Sequence, residues 1–412
     1  MPSDYQPPPH WKRTVALVWS GQAVSFLTSG AAGYAIVWHL TEATGSAVVL
    51  AAASIAIYLP YGIFGPFAGI IVDRLDRKVL MIVADMGIAV VCALTALLIA
   101  LGMMSVPLAV AILALRSVGQ AVHSPAMRAS MPLLVPDRHL VRLASLNQGL
   151  AGAAHIVAPA LGILLYTALG LQFVLLADTF GAIVACSLLA VVRIPAAQMT
   201  KAERSGLLNE MREGLASIRE QRGLGMFIVF VALTCTALAP MASFLPLMTY
   251  EHFSLGGWEA SLVEAAFGIG YLAGSVVLGV WGGGRRLFAL IAAAALAAGL
   301  IASGCGLLPS SGFLTFVVLA ALMAFAESFY GGPIGALFQR RIVPSKLGRV
   351  LAINDSAFCL ATPLGLLFAG PLAEAVGTGA LFVISGSLLA AIALLGLLAP
   401  TLRGLDRQSS PQ

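Results

Sequence analysis

Apolar runs of about 20 residues or more recur along almost the whole chain and limit what it can fold into. A helix needs about 20 apolar residues to cross a bilayer. Only 10% of the 412 residues are charged, against about 25% in soluble domains. The sequence therefore predicts an all-α integral membrane protein with twelve transmembrane helices, at 15–40, 46–72, 79–101, 105–127, 143–168, 171–192, 224–250, 258–282, 287–308, 312–338, 347–372 and 378–399.

Lys and Arg residues lie on one side of this pattern. Of the 23, only Arg116 lies deep inside a predicted span; Arg349 lies at the first turn of span 11, and the others occupy the tails and the links after spans 2, 4, 6, 8 and 10. The opposite links, such as 41–46 and 250–258, carry none. The positive-inside rule then predicts cytoplasmic N- and C-termini. The net charge of +5 follows from this sidedness and is no sign of nucleic-acid binding.

The chain also matches itself at an offset of about half its length. Residues 125–136 (PAMRASMPLLVP) align with 333–344 (PIGALFQRRIVP), an offset of 208. Six spans separate the two copies, so both have the same membrane orientation, as in transporters with a substrate site where two halves meet. We predict a cytoplasmic tail, a six-helix half, a cytoplasmic linker with an amphipathic helix, a second six-helix half and another cytoplasmic tail, at 1–14, 15–192, 193–223, 224–399 and 400–412.

Several motifs resemble those of the major facilitator superfamily. Residues 69–78 (GIIVDRLDRK) are similar to the family's signature between helices 2 and 3, with Asp76 in place of a second glycine. The LRSVGQA segment that contains Arg116 resembles a helix 4 motif of proton-coupled members. The start of the chain and residues 332–350 (GPIGALFQRRIVPSKLGRV) look like macrolide-efflux proteins. The resemblance implies a twelve-helix drug:proton antiporter of the macrolide-efflux-like branch.

A further motif lies in span 5. Gly152, Pro159 and Gly162 occupy positions similar to those of the family's antiporter motif, where the usual Gly-Pro is Ala158-Pro159 here.

The charged link between spans 2 and 3 raises the question of its role. Positive-inside sorting accounts for its Arg and Lys residues, but Asp contributes little to sorting. In the family, the residue equivalent to Asp73 packs near the cytoplasmic start of helix 11. We therefore hypothesise a breakable conformational latch made of Gly69, Asp73, Arg77 and, at the end of span 4, Arg128. The alternative is a solvated loop that only sets the topology.

Ionisable side chains inside spans are costly and are functional candidates. A proton-driven exporter needs a carboxylate that exchanges its proton near neutral pH, and burial favours this by penalising the charged form. The candidates are Asp178, Glu264 and Glu327, and Arg116 could modulate whichever lies nearest. A static ion pair that holds helices together is the alternative, and the sequence leaves open which acid faces Arg116.

Other residues in the spans suit a substrate cavity or close helix packing. Polar and aromatic side chains that could bind a bulky, partly apolar compound are Gln22, Tyr34, Tyr58, Gln120, Asn147, Phe244 and Tyr330. Glycines expected at close helix contacts are Gly65, Gly69, Gly270, Gly274 and Gly279.

Motifs for other kinds of protein are absent from the sequence. It has no GxxxxGK[ST], GxSxG or HExxH pattern, and its five cysteines lack metal-type spacing, so we expect no enzyme activity, cofactor or metal. We predict a monomeric secondary transporter of the bacterial inner membrane that exports a small amphipathic, drug- or macrolide-like compound by proton antiport with alternating access. The alternatives are an exporter of an endogenous metabolite such as a siderophore, an importer, or a non-transporting receptor.

Overall fold

The computed structural model describes residues 11–136, 139–192 and 215–407. No described residue lies in a β-strand, and twelve helices are long and apolar enough to cross a membrane, as predicted. We label them α1 to α12: Trp11–Thr44, Ala47–Arg74, Arg77–Ala100, Val106–Ser130, Leu140–Leu169, Leu171–Val191, Leu224–Ser243, Gly257–Trp281, Leu287–Gly306, Phe313–Arg341, Pro344–Val376 and Thr378–Leu398. A short π-helical turn, Met248–His252, prolongs the seventh span.

Several helices extend beyond the apolar runs that predict them. The first begins at Trp11 and so includes the end of the expected N-terminal tail, and α11 begins at Pro344 rather than at 347. Apolar composition marks only the part of a helix that can lie in hydrocarbon, whereas the backbone hydrogen bonds of a helix can continue into the polar interface.

A single glycine joins the last two helices of each half. Gly170 links α5 to α6 with φ of 91°, and Gly377 links α11 to α12 with φ of 84°. Positive φ is easy only for glycine, which ends one helix and starts the next without a loop. The two positions are 207 residues apart, so the internal repeat extends to this turn.

The chain forms two compact units. The first contains residues 1–40 and 56–201, and the second contains 41–55 and 202–412. In the first unit α3 packs against α4 and α6, and in the second α9 packs against α10 and α12. The end of α1 and the first nine residues of α2 group with the second unit.

Most of the predicted linker, 193–214, lies outside the described residues, and so does most of its expected amphipathic helix. The region 400–412, expected as a tail, contains an additional helix, α13 (Pro400–Arg407). Its Leu402 and Leu405 are buried, and Asp406 accepts hydrogen bonds from the backbone N–H groups of Phe288 and Ala289 at 2.9 and 3.0 Å. Asp406 thereby caps the N-terminus of α9.

Candidate functional site

The first unit contains a buried ion pair. Arg116 on α4 binds a carboxylate oxygen of Asp178 on α6 through Nη1, and the same nitrogen lies 2.8 Å from Cys92 Sγ on α3. Nη2 donates to the carbonyl oxygen of Ser29 on α1 at 2.9 Å, and the Ser29 hydroxyl donates to Asp178 at 2.6 Å. The exposure of Asp178 is 0%. Four helices therefore meet at one pair of opposite charges, and both charges have several polar partners.

This ion pair is not repeated at the equivalent positions of the second unit. The offset of 208 places Asp178 over Gly386 and Arg116 over Ala324. There α9 and α12 meet backbone to backbone, because a Cβ added to Gly299 would lie 2.6 Å from the carbonyl oxygen of Gly386. At the position of Asp178, the second unit therefore has a glycine in close contact with α9, the counterpart of α3, and no charge.

The two other candidates for proton coupling, Glu327 and Glu264, belong to the second unit. Glu327 on α10 is partly buried, and its Oε1 has no hydrogen-bond partner among the described residues. Its carboxylate lies near the side chains of Tyr271, Tyr330 and Cys235 and interacts with them electrostatically. Glu264 on α8 is also partly buried. Within the described part of the chain, neither acid forms an ion pair with Lys, Arg or His.

A second pair of titratable side chains lies nearer the predicted cytoplasmic ends of the first unit. Nε2 of His123 on α4 is 3.4 Å from Oδ1 of Asp85 on α3, and both residues are buried. The contact joins α3 and α4, as does the contact of Arg116 with Cys92. It lies seven residues from that contact along each helix.

Charged residues at the junction of α2 and α3 bind the ends of three helices. Asp76 is the N-cap of α3 and accepts from the N–H groups of Lys78 and Val79 at 2.8 and 3.2 Å. Arg77 donates to the carbonyl oxygen of Ala129 at 2.8 Å, close to the end of α4. Lys78 Nζ donates to the carbonyl oxygens of Ala190 and Val192, at 2.7 and 2.8 Å, where α6 ends. Each charge satisfies backbone groups that a helix end leaves without a partner.

Two of the four predicted latch residues have described side chains. Arg77 reaches the end of α4, and the neighbouring Arg128 is exposed and donates to the Tyr61 hydroxyl at 3.2 Å. The backbone of Gly69 and Asp73 is part of α2, but the surroundings of these two residues lie outside the described part of the structure.

The helix 5 motif packs α5 against α1. A Cβ on Gly162 would lie 2.5 Å from the carbonyl oxygen of Ala31. The second unit repeats the arrangement, since a Cβ on Gly365 of α11 would lie 2.2 Å from the carbonyl oxygen of Thr236 on α7. Gly152 and Pro159 are buried in α5. Position 162 of the motif therefore accommodates only a residue without a side chain.

The predicted cavity residues occupy different surroundings. Tyr330 and Phe244 are buried in the second unit, and Tyr330 shares a hydrogen bond with Thr234 and donates to the carbonyl oxygen of Val231 at 3.3 Å. In the first unit, Asn147 accepts from Trp19 Nε1 at 3.1 Å. The remaining members are all in the first unit and differ in exposure: Gln22 is buried, Tyr34 and Gln120 are partly buried, and Tyr58 is exposed.

Predictions for the glycines at helix contacts are confirmed at some positions and wrong at others. A Cβ on Gly270 would lie 1.9 Å from the carbonyl oxygen of Ala321, and one on Gly274 would lie 2.1 Å from Ser328 Oγ. At Gly65 and Gly279, by contrast, an added Cβ meets no described atom within 4 Å. The prediction fails there because apolar sequence around a glycine does not reveal which side of the helix faces a neighbour.

Sequence reasoning missed two acids that cap helices from a distance, Asp406 and Glu374. Asp406 binds the start of α9, and Glu374 near the end of α11 accepts from the backbone N–H of Val48 in α2 at 3.2 Å. Both lie at or beyond the ends of spans, where sequence analysis expects solvated loops or tails. A partner more than 100 positions away leaves no local signal.

Comparison with known proteins gives a consistent result. The family model described as the Major Facilitator Superfamily matches residues 18–263 and 242–411. Macrolide efflux protein A of Streptococcus pyogenes is 37% identical over 398 residues, which are 96% of this chain and 98% of that protein. The multidrug efflux pump Tap of Mycobacterium tuberculosis (strain CDC 1551 / Oshkosh) is 29% identical over 396 residues, 90% of this chain and 89% of that one.

A solved structure shares the fold. A bacterial homologue of the human lysosomal transporter Spinster matches with a TM-score of 0.72 and 13% identity, over 98% of both chains. With its twelve candidate spans and bacterial relatives that match along almost their whole length, the chain is a multi-pass protein of the bacterial inner membrane. It belongs to the major facilitator superfamily, within the branch of the macrolide efflux proteins, and is a transporter rather than an enzyme.

Proposed function

We propose that the chain exports a small amphipathic compound, a macrolide or similar drug, in exchange for protons by alternating access. The observation that carries the proposal is the 37% identity to Macrolide efflux protein A over 96% of this chain. The similarity to the multidrug efflux pump Tap over 90% of the chain supports drug export more generally. Two copies of a six-helix pattern in the same orientation support alternating access, since such repeats can rock about a shared site.

The surroundings of the three acids favour different roles for them. Asp178 has a cation and a hydroxyl group as partners, so its charge is compensated and it suits a structural role. Glu327 and Glu264 have no cationic partner among the described residues. An uncompensated carboxylate in apolar surroundings is costly when it is ionised, and binding a proton removes that cost. We therefore assign proton coupling to Glu327 first and to Glu264 second, with Arg116 holding Asp178 in place.

The latch is the second part of the proposal. Arg77 bound at the end of α4 supports it, and the family resemblance supplies the role of Asp73 and Gly69. Asp73→Asn is expected to change the transport rate and the balance between inward- and outward-facing carriers. Asp76→Asn is the matched control, since Asp76 caps α3 and asparagine is also a good N-cap. If Asp73→Asn leaves transport and the balance of states unchanged, the latch hypothesis is wrong.

Everted membrane vesicles from cells without other drug pumps test the direction of transport and its energy source. Radiolabelled erythromycin should accumulate inside the vesicles when their lumen is acidic, and a protonophore should abolish the accumulation. Accumulation only in right-side-out vesicles would show an importer. If no compound of a panel of macrolides, other drugs and siderophores moves in either direction, the proposed function is wrong.

Carboxamide variants test the choice of acid. Glu327→Gln should lower gradient-driven accumulation at least tenfold while erythromycin exchange without a gradient continues, because exchange needs no proton transfer. Glu259→Gln is the control for an acid-to-amide change, since Glu259 lies at the N-terminus of α8 and accepts a hydrogen bond from the backbone N–H of Gly256. Full gradient-driven efflux in the Asp178, Glu264 and Glu327 variants alike would overturn the proton-coupling scheme.

A further inference from the structure

The start of α2 is held by an acid from another helix. Ser46, the residue before α2, donates from its hydroxyl to Oε1 of Glu374 on α11, and the N–H of Val48 donates to the same oxygen at 3.2 Å. Ser46 also caps its own helix, accepting from the N–H of Val49 at 3.3 Å. The carboxylate therefore lies at the positive end of the α2 dipole and accepts two hydrogen bonds there.

Close backbone packing surrounds this contact. One turn before Glu374, a Cβ on Gly370 would lie 2.8 Å from the Cβ of Ala51 and 3.2 Å from the Cα of Val48. Ala51 is buried. The two helices thus touch directly at Gly370, and Glu374 binds the end of α2 just beyond the touching surfaces. All these residues belong to the second unit.

The rest of α2 groups with the first unit. Its residues from Ala56 onwards belong there, while Ala47–Ile55 belong to the second. The helix is continuous from Ala47 to Arg74. A carrier whose two six-helix halves move against each other must therefore either bend α2 or release its first two turns from α11.

We propose that Glu374 is a breakable clamp, and that the transport cycle requires its release from Ser46 and Val48. This inference rests on the proposed alternating-access function. The link 41–46 carries no Lys or Arg, so the positive-inside rule places the clamp on the outer face of the membrane. In the proposed cycle α2 separates from α11 in one state, and the two hydrogen bonds re-form in the other. Glu374 is exposed, and water replaces its two partners when the clamp opens.

Accessibility of a buried position reports the clamp directly. The parent protein carries Ala51→Cys in a background that lacks the five native cysteines and unfolds at the same temperature as the wild type. A membrane-impermeant maleimide is added from outside. Adding Glu374→Gln should raise the labelling rate severalfold, because a neutral amide binds the helix end more weakly than a carboxylate. Glu259→Gln, an acid-to-amide change at the start of α8 on the same face, should leave the rate unchanged. Equal labelling in the parent and the Glu374→Gln protein overturns the proposal.

Cross-linking tests whether release is required. A disulfide or a short thiol cross-linker between Ser46→Cys and Glu374→Cys should abolish erythromycin efflux, and reduction of the disulfide should restore it. Cross-linked carriers that export at the full rate would show that α2 bends instead, and the clamp would be refuted. If the wild-type protein exports none of the tested compounds, the proposed function fails, whereas the labelling experiment still decides on the clamp.

Discussion

Arg116 on α4 and Asp178 on α6 form an ion pair inside the first unit, with both side chains almost fully buried. A charge at this depth is costly without a partner, so the two residues depend on each other. Ser29 binds both members of the pair, because its carbonyl oxygen accepts from Arg116 and its hydroxyl donates to Asp178. The Cys92 thiol contacts Arg116. The pair answers the question that the sequence leaves open, because Asp178 is the acid that faces Arg116.

Removal of one member of this pair should destabilise the protein. Breaking a buried ion pair by removing one partner costs about 3–5 kcal/mol, while replacing both with apolar residues of similar size is often neutral. Asp178→Leu should therefore lower the thermal unfolding temperature of the detergent-purified protein, and Arg116→Met with Asp178→Leu should recover much of the loss. A single variant as stable as the wild type would contradict a structural role for the pair.

The N-cap of α3 should be visible in local exchange. Asp76→Ala removes the acceptor for the N–H groups of Lys78 and Val79, and loss of such a cap costs about 1 kcal/mol. Hydrogen–deuterium exchange at the start of α3 should become faster. Asp76→Ser retains a capping oxygen and should exchange at nearly the wild-type rate. Identical protection in the alanine and serine variants would show that the cap does not hold this helix end.

Two glycines in the same helix should respond differently to a methyl group. Gly270→Ala forces a Cβ to within 1.9 Å of the carbonyl oxygen of Ala321 unless α8 and α10 separate. Overpacking of this kind typically costs about 1–3 kcal/mol, so the unfolding temperature should fall. Gly279→Ala meets no described atom within 4 Å and should unfold like the wild type. Equal stability of the two variants would refute the close contact of α8 with α10.

The cap that α13 provides should stabilise the second unit. Asp406→Ala removes the acceptor for the N–H groups of Phe288 and Ala289, and exchange at the start of α9 should accelerate, by the same reasoning as for Asp76. Asp406→Asn should have a smaller effect, since an amide oxygen can still accept one of the bonds. Protection of Phe288 and Ala289 that is unchanged in the alanine variant would mean that α13 is not needed at this helix end.

The sequence by itself determined the twelve spans and the family. Both depend on features that lie within short stretches of the chain, since apolar length is a local property and motifs such as 69–78 can be read directly. The internal repeat could also be found by alignment, and a structural consequence, the single-glycine junctions at Gly170 and Gly377, follows the same periodicity.

Only the tertiary structure decided which partner each polar residue has. Asp178, Glu264 and Glu327 are alike in sequence, each an acid in an apolar span, yet Asp178 binds Arg116 and the other two bind no cation among the described residues. Glu374 and Asp406 lie beyond the ends of the predicted spans, yet each caps a helix far away in the chain. The side of a helix on which a side chain lies, and its distance from residues on other helices, depend on how the helices pack. A pattern along the sequence contains neither.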